Sequence, residues 1–260
     1  MTRLLTRVYV RATGIAQKMD KILMRIDVQL RDLLSSDGAE WKGVEWSVPW
    51  DVVFTIGEDS PPLPSHVSPT KLPAVTSSRT NFEAQKPPSK SSDQLPVVAL
   101  GGTFDHIHAG HKILISIGAF LATEKLIVGV TSDALLVNKS NKEVLEPLDL
   151  RMDNVRDLLS IFKPSVEPYI VPIEDVYGPT GWDPNVQGLV VSKETLDGAA
   201  AIAKHRKEKG FPELRKFVID VISATEESID DSDMAALKST KMSSTFIREW
   251  IVEQRQGNSL

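Results

Sequence analysis

The sequence predicts an α/β chain: a parallel sheet with helices on both faces, preceded by an N-terminal helical segment and a flexible linker. Three observations predict it. From residue 95 onward, short apolar runs of strand length alternate with stretches of helical periodicity. The first of those runs ends in Gly101-Gly102, and a helical stretch follows within ten residues. Before it, residues 57–94 are rich in Pro and Ser and almost free of large apolar side chains.

Taken in order, residues 1–31 are Arg-rich, with Leu4, Leu5, Val8, Ile15, Met19 and Ile22 spaced mainly three or four apart. This predicts an amphipathic helix that packs or pairs. A basic amphipathic start also resembles a mitochondrial address, but Asp20, Asp27 and Asp32 interrupt it, so a cytoplasmic location is the primary expectation. Trp41, Trp46 and Trp50 lead into a strand-like segment ending at Ile56. The chain therefore divides into 1–56, a linker at 57–94, and a domain at 95–260. In that domain, strands are expected at 97–100, 126–130, 169–172, 188–191 and 216–222. Helices are expected from near Ala109 to 123, and at 150–162, 193–209 and 243–256.

Composition narrows the function. The 260 residues are 41% hydrophobic and 25% charged, ordinary for a globular chain. A net charge of -5 argues against a nucleic-acid partner. No apolar run approaches the roughly 20 residues that span a bilayer, so no membrane partner is expected. With no cysteine, disulfides, thiolate metal sites and a cysteine nucleophile are excluded.

In such a sheet, ligands bind beyond the carboxyl ends of the strands. The loop there reads Gly101-Gly-Thr-Phe-Asp-His-Ile-His-Ala-Gly-His111. Glycines let the backbone approach a ligand closely, and the helix that follows points free N–H groups at an anion, phosphate above all. His108 and His111, three apart, project to one side of the first turn, and Thr103 adds a hydroxyl donor. A histidine metal site is not expected, because acidic partners are sparse. The G-x-G-x-x-G spacing of dinucleotide folds is absent. Near the end, Lys241-Met-Ser-Ser-Thr-Phe-Ile-Arg248 precedes the last helix. Ser243, Ser244 and Thr245 can meet phosphates with hydroxyls and a helix start, and Arg248 can grip two oxygens at once.

The Gly102-Thr-Phe-Asp105 and His108-Ala-Gly-His111 signature, joined to that late Ser-Ser-Thr-x-x-Arg string, resembles the class I nucleotidyltransferase superfamily. Residues 97–255 most resemble its eukaryotic and archaeal phosphopantetheine adenylyltransferase branch. The segments Gly129-Val-Thr-Ser-Asp133, Tyr177-Gly-Pro-Thr180 and Val190-Val-Ser-Lys-Glu-Thr195 carry the resemblance between the two motifs. The resemblance implies a Rossmann-like nucleotidyltransferase fold and the reaction of ATP with 4′-phosphopantetheine, giving 3′-dephospho-coenzyme A and diphosphate, with Mg²⁺ accompanying ATP. It implies catalytic roles for Thr103, His111 and Lys139. It places Gly102, Phe104, His108, Gly110, Ser243, Ser244, Thr245 and Arg248 at ATP, and Lys142, Tyr177, Lys193 and Arg206 near the substrates. Without a G-x-x-x-x-G-K-[ST] loop, no fused kinase activity is expected. Two other readings stay open: a sister transferase, cytidylyltransferase or nicotinamide mononucleotide adenylyltransferase, and a non-catalytic binding or assembly module. With every readable motif beyond residue 95, a chain starting near Ser92 is expected to fold and keep its activity.

Overall fold

A computed structural model describes residues 1–29, 52–56, 63, 65, 68–72, 94–163, 165–219 and 243–257. The expected features at Trp41, Trp46, Trp50, Lys241 and Met242, and most of the linker, lie outside the described residues. Two compact units are present. One, Leu30–Ser92, contains a short parallel pair, β1 (Phe54–Ile56) against β2 (Thr70–Leu72). The other joins Met1–Gln29 to Asp93–Leu260, so the first half of the segment 1–56 packs with the principal domain.

That domain is an α/β sandwich on a five-stranded parallel sheet, as expected. Its strands are β3 (Leu95–Gly102), β4 (Ala122–Thr131), β5 (Glu167–Ile173), β6 (Gly188–Ser192) and β7 (Arg215–Ile219), in the spatial order β5-β4-β3-β6-β7. The chain runs outward from β3 through β4 to β5, then returns to the other side of β3 for β6 and β7. The direction of winding therefore reverses between β3 and β6, and a crevice opens at such a point.

Period-two alternation divides the strand residues between two cores. Val98, Leu100, Leu126, Val128, Val130 and Val190 pack with α2 (Ala109–Leu121) and α3 (Leu148–Phe162). Ala99, Ile127, Leu189 and Val191 pack with Ala199 and Ile202 of α4 (Leu196–Glu208). Helix α2 meets the sheet closely at Gly118, where a Cβ would stand 2.4 Å from Leu100 Cδ2. It ends at Leu121, and β4 begins at the next residue. The last helix is α5 (Ser244–Gly257).

The N-terminal helix α1 spans Thr2–Lys18, shorter than the apolar spacing to residue 31 implied. Asp20 takes a left-handed φ of 57°, which ends the helix. Leu5 and Tyr9, one turn apart, are buried in the same core as α2. Beyond α1 the chain crosses α2, where Lys112 Nζ donates to the Ile26 carbonyl at 2.7 Å and to Asp27 Oδ1 at 2.6 Å. Burial tends to raise the pKa of Asp27, but Lys112 and Arg25 outweigh it and hold the carboxyl below its ordinary value. A cavity of about 310 Å³ lies under this crossing, walled by Tyr9, Ile22, Ile26, Lys112 and Leu158.

Candidate phosphate-binding site

The loop after β3 is held open by backbone conformations that L residues rarely adopt. Phe104 and His106 have φ of 53° and 43°, each costing on the order of 1–3 kcal/mol. Phe104 is fully buried and its ring lies over Gly102, where a Cβ would come within 3.3 Å of it. Its side chain is therefore the plug under the loop, and the expectation that it meets ATP is corrected to that extent: only its backbone can face a ligand.

His108 caps α2. Its Nδ1 accepts from the Gly110 N–H at 3.1 Å, so its proton sits on Nε2. Burial lowers its pKa to about 4; Asp105 opposes and Lys112 reinforces that shift. The His111 ring lies 4.0 Å from that of His108, and its pKa is well below the ordinary value, through burial first and His108 second. Both imidazoles are neutral at pH 7. Nδ1 of His111 is buried with no partner among the described residues, a polar atom ready for a ligand. No acidic residue occupies the first turn of α2 or of α5, so both helix starts keep their positive ends for an anion.

The two motifs, 130 residues apart in the chain, are bonded to each other at Asp105. Ser244 Oγ donates to the Asp105 carbonyl at 2.7 Å, and Arg248 Nη1 donates to Asp105 Oδ2 at 2.5 Å. Ser243 Oγ accepts from the Phe246 N–H at 3.2 Å and so caps α5. Arg248 also donates from Nε to the Ser140 carbonyl at 3.0 Å and from Nη2 to Thr245 Oγ1 at 3.3 Å. This corrects the expectation that its fork grips two phosphate oxygens. Arg248 is 2% exposed, and three of its N–H groups are already committed to protein acceptors. It anchors α5 instead.

Lys139 and Lys142 lie exposed on either side of Ser140, in the loop that Arg248 holds. Lys193 is exposed just past the end of β6, beside the point where the winding reverses. Tyr177 stacks on His205 at 4.0 Å, with rings 15° from parallel. The expected substrate role of Arg206 is overturned. It is 1% exposed, and its guanidinium donates to the carbonyls of Thr180, Pro184, Asp183, Val186 and Pro212. All five donors are spent, so it pins the 180–186 loop to α4.

Two groups that organise the site carried no local signal. Arg151 on α3 is fully buried. It donates to the carbonyls of Glu146, Thr103 and Thr131 and to Asp133 Oδ1, gathering the ends of β3 and β4. Glu146 accepts from the His106 N–H at 2.7 Å and donates its own N–H to Asp105 Oδ1 at 2.9 Å. Asp105, His106 and Glu146 stand close enough to hold a metal ion. Their atoms are instead engaged with protein: His106 Nε2, 2.7 Å from the Val144 carbonyl, must be a donor, and Arg248 occupies Asp105. The cluster is a hydrogen-bond hub and does not fit a resident divalent cation.

The sequence model of the cytidylyltransferase-like family matches residues 99–250. The chain belongs to the cytidylyltransferase-like family. Its matched span runs from β3 into α5 and so includes both motifs that meet at Asp105. Among curated relatives, a phosphopantetheine adenylyltransferase of Saccharomyces cerevisiae is 45% identical over 159 residues, 61% of this chain and 50% of that protein. An uncharacterized protein of Schizosaccharomyces pombe is 40% identical over 62% of this chain and 50% of its own length. A phosphopantetheine adenylyltransferase of Pyrobaculum aerophilum is 35% identical over 48% of this chain and 79% of its own length. The chain thus spans about half the length of the two fungal relatives. These matches bear out the resemblance to the eukaryotic and archaeal branch of this family.

Proposed function

We propose that this protein transfers the adenylyl group of MgATP to 4′-phosphopantetheine, forming 3′-dephospho-coenzyme A and diphosphate. The observation that carries the transferase reading is the pairing of two acid-free helix starts, α2 and α5, fastened together at Asp105 beside a neutral histidine pair. The names borne by the fungal and archaeal relatives support the acceptor.

The acceptor phosphate, with a second pKa of about 6, is its own nucleophile at neutral pH, so no protein base is required. One of its oxygens attacks the α-phosphorus, the bond to the β-phosphate bridging oxygen breaks, and diphosphate leaves with that electron pair. Catalysis then consists of alignment and of meeting the charge that develops on the transferred group. Thr103 and the start of α2, with Gly102, Gly110 and the backbone of Phe104, lie against the phosphates. His108 Nε2–H and the single N–H of neutral His111 donate to the α-phosphate oxygens. The hydroxyls of Ser243 and Thr245 and the backbone start of α5 at Ser244, whose own hydroxyl is spent on Asp105, face the β- and γ-phosphates. Lys139, with Lys142, holds the acceptor phosphate, while Lys193 and Tyr177 flank the substrates. Mg²⁺ enters on the triphosphate as part of the substrate, keeping several waters.

The test is diphosphate release with MgATP and 4′-phosphopantetheine as sole substrates. Turnover that instead requires CTP or nicotinamide mononucleotide would reassign the protein to a sister transferase. No release with any of these pairs would leave a binding module.

A further inference from the structure

The mechanism leaves one fully buried pair without a task, Asp105 and Arg248, and neither is open to a ligand. Their bonds reach three parts of the site. Arg248 sits one turn beyond Ser244 on the same side of α5, so the helix start cannot move without carrying the guanidinium. Nε of that guanidinium holds the carbonyl of Ser140, the residue between Lys139 and the rest of the loop. The same loop is gripped again at Val144 by His106 and at Glu146 by Asp105 Oδ1. Around these grips, residues 137–143 are mostly exposed. In the structure the loop is pinned, with Arg248 on Ser140; losing that bond would free its exposed residues.

We propose that Asp105 and Arg248 are positioning residues that couple the two substrates: nucleotide at α5 favours the pinned loop, which presents Lys139 to the acceptor phosphate. This rests on the functional reading above. Coupling is reciprocal, so the acceptor tightens the nucleotide by the same factor. Neither residue touches a reacting atom.

The test uses titration calorimetry of the full chain with 4′-phosphopantetheine, alone and with saturating Mg²⁺ and α,β-methylene-ATP. The expected wild-type result is a tightening within the usual allosteric range of about 5–150-fold. In Arg248→Lys a single ammonium can keep Asp105 but cannot also span the Ser140 carbonyl and the Thr245 hydroxyl. The tightening is expected to fall to about 1-fold, with a smaller change in binary affinities. A wild-type factor surviving in Arg248→Lys overturns the coupling, since a merely structural arginine would weaken folding without touching this ratio. Wild-type protein that binds both ligands without mutual tightening also overturns it. Wild-type protein that binds no phosphopantetheine overturns the functional reading, and the coupling with it. Should Arg248→Lys not fold, hydrogen exchange on wild type decides. The Glu146 amide, which donates to Asp105, and those of Val144 and Leu145 are expected to slow with the nucleotide analogue alone. Slowing only on addition of phosphopantetheine overturns the proposal.

Discussion

Mild acid should destabilise this protein through the histidine that caps α2. His108 titrates near 4 in the fold, below its ordinary 6.5, because burial disfavours the imidazolium. The unfolded chain therefore binds a proton that the folded chain refuses, and stability falls as pH drops through the window from 6.5 to 4. Between pH 7 and pH 5 this group alone withdraws about 2 kcal/mol. That is an upper bound, since a half-buried ring keeps part of its solvent shell. His111 acts in the same direction. Carboxylates at ordinary values stay ionised across that span, and Asp27 titrates lower still. The loss corresponds to a fall in unfolding temperature of about 4–8 °C. The control is His108→Asn, whose side-chain oxygen can still accept the Gly110 N–H as an N-cap but cannot take up a proton. Urea unfolding of both proteins at the two pH values measures the effect. The wild type should lose stability and the variant should lose about 2 kcal/mol less. Equal losses in the two proteins would refute the assignment of a neutral His108.

Three further outcomes are expected. His111→Ala should cut turnover by about 10²–10³-fold, with a smaller change in ATP affinity, because a donor aimed at developing charge acts on the barrier; single-turnover and equilibrium binding measurements separate the two. Arg206→Met should lower the unfolding free energy by about 3–5 kcal/mol while leaving Michaelis constants near wild type, as steady-state kinetics of the folded fraction will read. A chain starting at Ser92, expected from the sequence to be self-sufficient, should instead unfold at lower temperature in calorimetry. It lacks Leu5 and Tyr9, each worth about 1.5–3 kcal/mol of burial before the ordering entropy is subtracted, and it opens the cavity beneath Ile22 and Ile26.

What could be read in advance was whatever a short window contains. The short apolar runs located all five strands of the sheet, and the glycine loop with its histidines located the start of α2. The missing parts act across long separations. Asp105 meets Arg248 at a distance of 143 residues and Arg151 meets Thr103 at 48, and no local pattern announces either pair. Arg206 lies in a run, Lys204-His-Arg-Lys-Glu-Lys209, whose composition reads as a solvated helix face. Only the carbonyls of the 180–186 loop and of Pro212 make it a buried pin. At α1 the apolar spacing foretold a packed helix but could not say against what, and the partner proved to be α2.

The direct passage from Leu121 to Ala122 has a consequence for how this domain can vary in length. With no connecting residue between α2 and β4, the phase of a 3.6-residue period is locked to that of a two-residue period. Deleting one residue there must strip the final turn from α2, remove the irregularity by which β4 takes three steps from Ala122 to Lys125 against two on β3, or slide β4 by one position. A slide would carry Ile127 and Gly129 to the side now filled by Leu126, Val128 and Val130, and it would face bulky neighbours with side chains of the wrong volume on both surfaces of the sheet. Insertions and deletions should therefore cost more folding stability at this join than in the exposed stretch between Val137 and Glu143, whatever they do there to Lys139 and Lys142, a contrast that thermal unfolding of single-residue indels would display.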